Sequence, residues 1–145
     1  MSELVIRAGV SRSSFYRNFD SIDDVLTYGY NELVRTYAHV CPYPYVDFTN
    51  VACMAWNLSF WKDHAAHIIA FDQSGLSSAY RSTVFEIGSR DPRAGEASPE
   101  TAAHRRFAIG AFYAIALDWI ADGARESEEA VAQRFCNWIV HGIEE

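Results

Sequence analysis

Ala8-Gly9-Val10-Ser11-Arg12-Ser13-Ser14-Phe15-Tyr16-Arg17-Asn18-Phe19 sets the reading of the whole chain. A short helix, apolar along Leu4, Val5 and Ala8, ends at Ala8, and Gly9 supplies a turn that glycine makes without strain. Val10 is an apolar plug, and Ser11 is a good N-cap for the next helix. On that helix Phe15 and Phe19, four positions apart, share one face, so Arg12, Ser13, Tyr16 and Arg17 point elsewhere. Two short helices about a glycine turn, the second displaying Arg, Ser and Tyr, form a helix-turn-helix, whose second helix enters the DNA major groove. Arginine suits guanine edges and phosphates, and serine suits phosphates. Ser11, Arg12, Ser13, Ser14, Tyr16 and Arg17 are therefore the candidate DNA-contacting residues. The plainer alternative for these side chains is a solvated helix face.

Residues 8–19, with Ser21 and the helix that follows, resemble the TetR-type family of bacterial transcriptional repressors. The family pattern runs Ala-Gly-Val-Ser, a basic residue, two small residues, an apolar residue, Tyr, two polar residues and Phe. This chain follows it at nearly every position. The likeness implies an all-α fold with two parts, a DNA-binding module at 1–27 and a helical ligand-sensing and dimerisation domain at 28–145. It also implies that the Tyr16 hydroxyl meets a phosphate. Two features depart from the pattern. The family's usual lysine after the capping serine is Ile22 here, and the family's first helix has no counterpart, because Met1 already falls in the second. A truncation, a misplaced start and a true loss all fit the sequence. Without that cover, the expectation is a poorly ordered segment at 1–19 and weak operator affinity.

Charge points the same way. The net charge is −7, unlike a protein that coats nucleic acid nonspecifically. Near the N-terminus Arg7, Arg12 and Arg17 are outnumbered by Glu3, Asp20, Asp23 and Asp24. A dimeric ligand-binding protein that has lost DNA binding is thus the alternative reading of function.

The chain has 145 residues, half of them hydrophobic and 14% aromatic, ample for one core. No apolar run reaches the roughly 18 residues of a membrane helix, and Glu3 and Arg7 interrupt any signal-peptide core. Cys41, Cys53 and Cys136 are odd in number and lack C-x-x-C spacing, the pattern of reduced thiols in a cytoplasmic protein.

Further along, Ser21-Ile22-Asp23-Asp24 caps a helix predicted to run to about residue 39, where Pro42 and Pro44 stop the pattern. A helix is predicted from Asp47, with a break near Lys62-Asp63-His64 and a short helix at 65–71. Another covers 76–87, then a loop holds Pro92 and Gly95. The longest helix spans 99–122, with Gly123 behind it, and a last one starts at Ser127. The long helix is apolar nearly all round. A stripe of Ala103, Phe107, Gly110, Ala114, Leu117 and Ala121 opposes one of Phe112, Ile115 and Trp119. Such a helix must be buried on every side, so one side is expected to meet a second subunit. The expected dimer interface is Phe107, Gly110, Ala114, Leu117, Ala121, Phe135 and Trp138. The run from Ala116 to Gly123 also looks like one subgroup of the family.

Most aromatic residues follow Tyr30. Trp56, Phe60, His64, Tyr80, Phe112, Tyr113 and Trp119 are the candidate lining of an effector pocket. Such pockets are mostly apolar and typically exceed about 300 Å³. Ordinary core packing is the competing role for each. His64 and His67, with Asp63 or Asp72, lack a placed third ligand, so no metal site is expected. No nucleophile–base set, phosphate loop or H-E-x-x-H motif occurs, so neither catalysis nor a cofactor is expected. The partners implied by the resemblance are an operator duplex, a second copy of the chain and a small-molecule effector.

Overall fold

The computed structural model describes residues 2–74, 77–90 and 98–142. Leu76, the predicted loop with Pro92 and Gly95, and the side chains of Leu4 and Val5 lie outside the described residues. Among those described, all regular structure is helical: α1 (Ser2–Arg7), α2 (Arg12–Asn18), α3 (Ile22–Val40), α4 (Val51–Asp63), α5 (Ala65–Asp72), α6 (Ser77–Ser89), α7 (Pro99–Ala121) and α8 (Glu128–His141).

Local chemistry explains most of the boundaries. Gly9 sits at φ +65° and its N–H bonds back to the Ile6 carbonyl, closing α1. Ser11, Asn50, Ser98 and Ser127 each accept a backbone N–H in the first turn of α2, α4, α7 and α8. Ser21 and Asp24 form a reciprocal capping box on α3, the Asp24 carboxylate accepting from the Ser21 and Asp20 N–H groups at 3.0 Å each. Cys41 ends α3 in an extended conformation, the one a residue before proline prefers. The start of α4 differs from expectation by a turn. Asp47 accepts from the Thr49 N–H and hydroxyl instead of entering a helix, and Asn50 becomes the cap. At its other end α7 closes through Gly123 N–H to the Ile120 carbonyl and Ala124 N–H to the Trp119 carbonyl, at 3.2 and 2.8 Å.

Packing organises these helices around α4 and α7. α4 lies along α8, and α7 packs on α4, α5 and α6, while α3 leans on α5. α6 and α7 approach closely at Gly88. A Cβ there would sit 2.8 Å from Ile109 Cγ1 of α7, so a larger residue would force the Ile109 side chain or its helix to shift. Cys53, Met54, Ile68, Ala116 and Ala132 are fully buried at the centre. Trp61 anchors an aromatic cluster, with its ring edge-on to those of Phe112 and Tyr113 at 5.8 and 5.6 Å. Trimming a fully buried side chain such as Met54 to alanine costs about 2–5 kcal/mol, a large part of the stability of a domain this size.

Two of the expected interface positions need correction. On α7, Ala108, Ile109, Phe112, Tyr113, Ala116, Trp119 and Ile120 are buried by this chain, whereas Ala103, Phe107, Ala114 and Ala121, on the side expected to meet a second subunit, are exposed in the single chain. Phe135, expected at a subunit interface, is only 2% exposed and packs between Phe48 and Phe112 inside this chain's own core. Gly110 likewise faces Phe85 of α6 within the chain. Helical spacing identified both as apolar positions, but spacing does not say which neighbour covers them.

Candidate nucleic-acid interface and the cavity behind it

α2 is amphipathic over only two turns. Phe15 is its buried residue, touching Tyr16 edge-on at 5.3 Å and Phe19 at 5.9 Å. Phe19 in turn meets Tyr28 of α3 at 5.8 Å, which fixes α2 against the long helix. Arg12, Ser13, Tyr16 and Arg17 lie on the exposed side, Tyr16 with 55% of its surface free. Ser11 and Ser14 are placed differently from the other candidates. The Ser11 hydroxyl accepts from the Ser14 N–H at 3.1 Å and shares a hydrogen with the Ser13 hydroxyl at 2.9 Å. Ser14 is half-buried, and its carbonyl accepts from the Asn18 side chain. Ile22 is exposed at the start of α3. Behind α2, an apolar groove of about 270 Å³ runs between Ala8, Val10, Phe15, Phe19 and Val25.

α3 connects this end to the helical body. Its first turn adjoins α2, and one to two turns from its C-terminal end Leu33, Val34 and Tyr37 form one wall of an internal cavity. The proposed boundary between residues 27 and 28 therefore falls within a continuous helix. Val46 and Phe48, Asn57, Phe60 and Trp61 of α4, Tyr80 to Gly88 of α6, and Ile109 and Phe112 of α7 complete the cavity. Its volume is about 60 Å³, well below the expected size. The reason is that the aromatic side chains pack on one another: Tyr37 sits edge-on to Phe60 at 5.1 Å, and Trp61 fills the space towards Phe112 and Tyr113.

Of the seven residues expected to line an effector pocket, Phe60, Tyr80 and Phe112 border this cavity. Trp56 instead stacks on Phe60 and borders Tyr37 and Tyr43. The His64 ring stacks on Phe60 at 4.3 Å and its Nδ1 bonds to the Phe60 carbonyl at 2.9 Å. Tyr113 donates to Asp72 at 2.7 Å, and Trp119 Nε1 donates to the Glu126 carbonyl beneath Lys62. All four are tied up in structural contacts.

The one buried polar residue among those described, Asn57, belongs to the cavity wall and was not anticipated. Its Oδ1 accepts from the Tyr37 hydroxyl at 2.9 Å and its Nδ2 donates to the Cys53 carbonyl at 2.8 Å. Burial drives the Tyr37 phenol far above its ordinary pKa, so it remains a donor throughout the neutral range. A lone asparagine amid Met54, Leu58 and Trp61 was the signal available in the sequence. Outside the lining, Arg105 donates to the Gly88 carbonyl at 2.7 Å and the Val46 carbonyl at 3.0 Å, with its guanidinium over Phe48. Its charge thereby meets the C-terminal carbonyls of α6, where the helix dipole favours a cation.

Among the described residues no helix is long and apolar enough to cross a membrane, and no three His, Cys, Asp or Glu side chains converge as a metal site. Comparison with protein-family models, with curated proteins and with solved structures yielded no match.

Proposed function

We propose that this chain is a DNA-binding transcriptional regulator of the TetR type, a homodimeric repressor released from its operator by a small molecule. The observation that carries this reading is α2 itself. A seven-residue helix follows a positive-φ glycine turn and buries one phenylalanine, leaving two arginines and a tyrosine facing outwards. Those are the side chains suited to guanine edges and phosphates. In a dimer the two recognition helices stand about one DNA turn apart, roughly 34–36 Å, and read a palindromic operator. The exposed stripe of Ala103, Phe107, Ala114 and Ala121 on α7, with half-buried Leu117 and Trp138, supplies the self-association surface. A ligand that binds one conformation better shifts the population, and α3, which runs from α2 to the cavity wall, carries that shift to the recognition helix.

Selection of duplexes from a random DNA pool by the purified chain tests this. Enriched palindromes with half-sites one turn apart support it, whereas a pool without enrichment rejects it. The second reading, a ligand-binding dimer without DNA binding, draws support from exposed Ile22 and the carboxylates of Asp20 and Asp23 beside α2. It predicts the unenriched pool together with retained dimerisation.

A further inference from the structure

We infer that the internal cavity and the groove beside it form a single site for a small amphipathic carboxylate, with its apolar chain inside and its head at Arg90. This rests on reading the helical body as a sensor. The groove, of about 200 Å³, lies under the segment that follows α3 and is lined by Ala38, Cys41, Tyr43, Pro44, Tyr45 and Arg90. It shares Val34, Tyr37, Val46 and Ile87 with the cavity, so the two spaces have a common wall along α3 and α6.

Size and chemistry narrow the occupant. A cavity of about 60 Å³, at roughly 10–15 Å³ for each water it could hold, accepts on the order of four to six heavy atoms. No Asp, Glu, Lys, Arg or His lines it, and its polar groups are engaged: Tyr37 donates to Asn57, and the Thr83 hydroxyl accepts from Tyr30. Among the described residues no buried side-chain nitrogen or oxygen lacks a partner. A charged or strongly polar end placed there would be desolvated without compensation. The polar end must therefore face the groove, where Arg90 is the one ionised side chain in the lining. Arg90 bonds to Glu86 at 2.6 Å, but both side chains are about two-thirds exposed. An exposed pair four residues apart on a helix contributes little, so a ligand carboxylate can displace or share it. A cationic head would instead meet Arg90 with like charge.

Calorimetric titration of the full chain, with tryptophan fluorescence as a second signal, is the test. The probes are hexanoate, 1-hexanol and hexylammonium. Hexanoate should bind most tightly. Arg90→Gln should weaken hexanoate about two- to fivefold while leaving 1-hexanol unchanged, the range for an exposed ion pair. Val84→Phe, which fills the cavity, should weaken hexanoate and 1-hexanol alike, with circular dichroism confirming the fold. Arg125→Gln, remote from the lining, should change neither. The inference is overturned if 1-hexanol or hexylammonium binds as well as hexanoate, if Arg90→Gln has no effect, or if no probe binds with a Kd of about 10 mM or tighter. Operator binding is read separately by gel shift. Hexanoate binding that leaves the shift unchanged rejects the sensor reading but keeps this site. An intact shift with no hexanoate binding rejects this site while the DNA-binding reading stands.

Discussion

Asn57 and Tyr37 make a double-mutant cycle whose outcome follows from burial. Asn57 is 4% exposed, and its amide links α4 to the phenol of α3 at the cavity wall. Asn57→Leu keeps the heavy-atom count and branching of the side chain but strands the Tyr37 hydroxyl. A buried polar group left unpaired costs about 1–3 kcal/mol, and half-buried Tyr37 belongs in the lower part of that range. Tyr37→Phe strands the Asn57 carbonyl oxygen, which lies deeper, so its cost belongs in the upper part, about 2–3 kcal/mol. The double variant strands neither group. The Cys53 carbonyl that loses the Asn57 amide is at an interior helix position and keeps its ladder partner. The expected coupling is about 1–2 kcal/mol, so the double variant should be more stable than the sum of the single costs allows. Urea unfolding followed by tryptophan fluorescence measures it, with all four proteins at one concentration because dimerisation would add to apparent stability. In thermal melts each kcal/mol corresponds to about 2–5 °C for a chain of this size. Additivity within about 0.5 kcal/mol, or a Tyr37→Phe protein as stable as the parent, would refute the reasoning.

Three further outcomes are expected. Ala114→Glu and Ala121→Glu place carboxylates on the exposed stripe of α7 and should each weaken self-association at least tenfold in sedimentation equilibrium, with circular dichroism unchanged. Unaltered dissociation constants for both would move the interface elsewhere. The Glu128 carboxyl is held below its ordinary pKa by a hydrogen bond from Lys62 at 2.8 Å. A depressed folded pKa means stability that is present above about pH 4.3 and lost as pH falls through the folded value. Lys62→Met should therefore flatten the acid limb of the stability profile, and an identical acid limb in both proteins would contradict this. Burial raises the Cys53 thiol, and raises the Cys136 thiol to about 11, whereas Cys41 is half-buried at the groove. A thiol reagent at pH 8 should thus label Cys41 first, with Cys53 and Cys136 following only in denaturant. Equal native labelling of all three would show that α4 and α8 open readily.

Capping chemistry made much of the fold legible. Gly9, Ser11, Ser21 and Ser127 each mark a boundary through a short-range hydrogen bond or backbone preference that needs no tertiary knowledge. Asp47 misled because an acidic side chain ahead of an apolar run caps a helix or makes its own turn equally well, and here it bonds to Thr49. The cavity was less legible. Val46 and Phe48 reach it from irregular backbone, and Gly88 shapes it by what it lacks. None of these carries a periodic signal. Aromatic enrichment singled out Phe60, Tyr80 and Phe112, which border the cavity, but it could not separate them from rings such as Trp56 that fill space elsewhere.

The central claim is that α2 contacts DNA through Arg12, Tyr16 and Arg17, and fluorescence anisotropy with duplexes from upstream of the protein's own gene tests it most directly. Arg17→Ala and Arg12→Ala should each weaken binding about 5- to 150-fold, the cost of losing a good base or phosphate contact. The dependence of log affinity on log salt should also fall by about one where the lost contact is to a phosphate. Binding that is undiminished in both variants, with an unchanged salt dependence, would contradict the account.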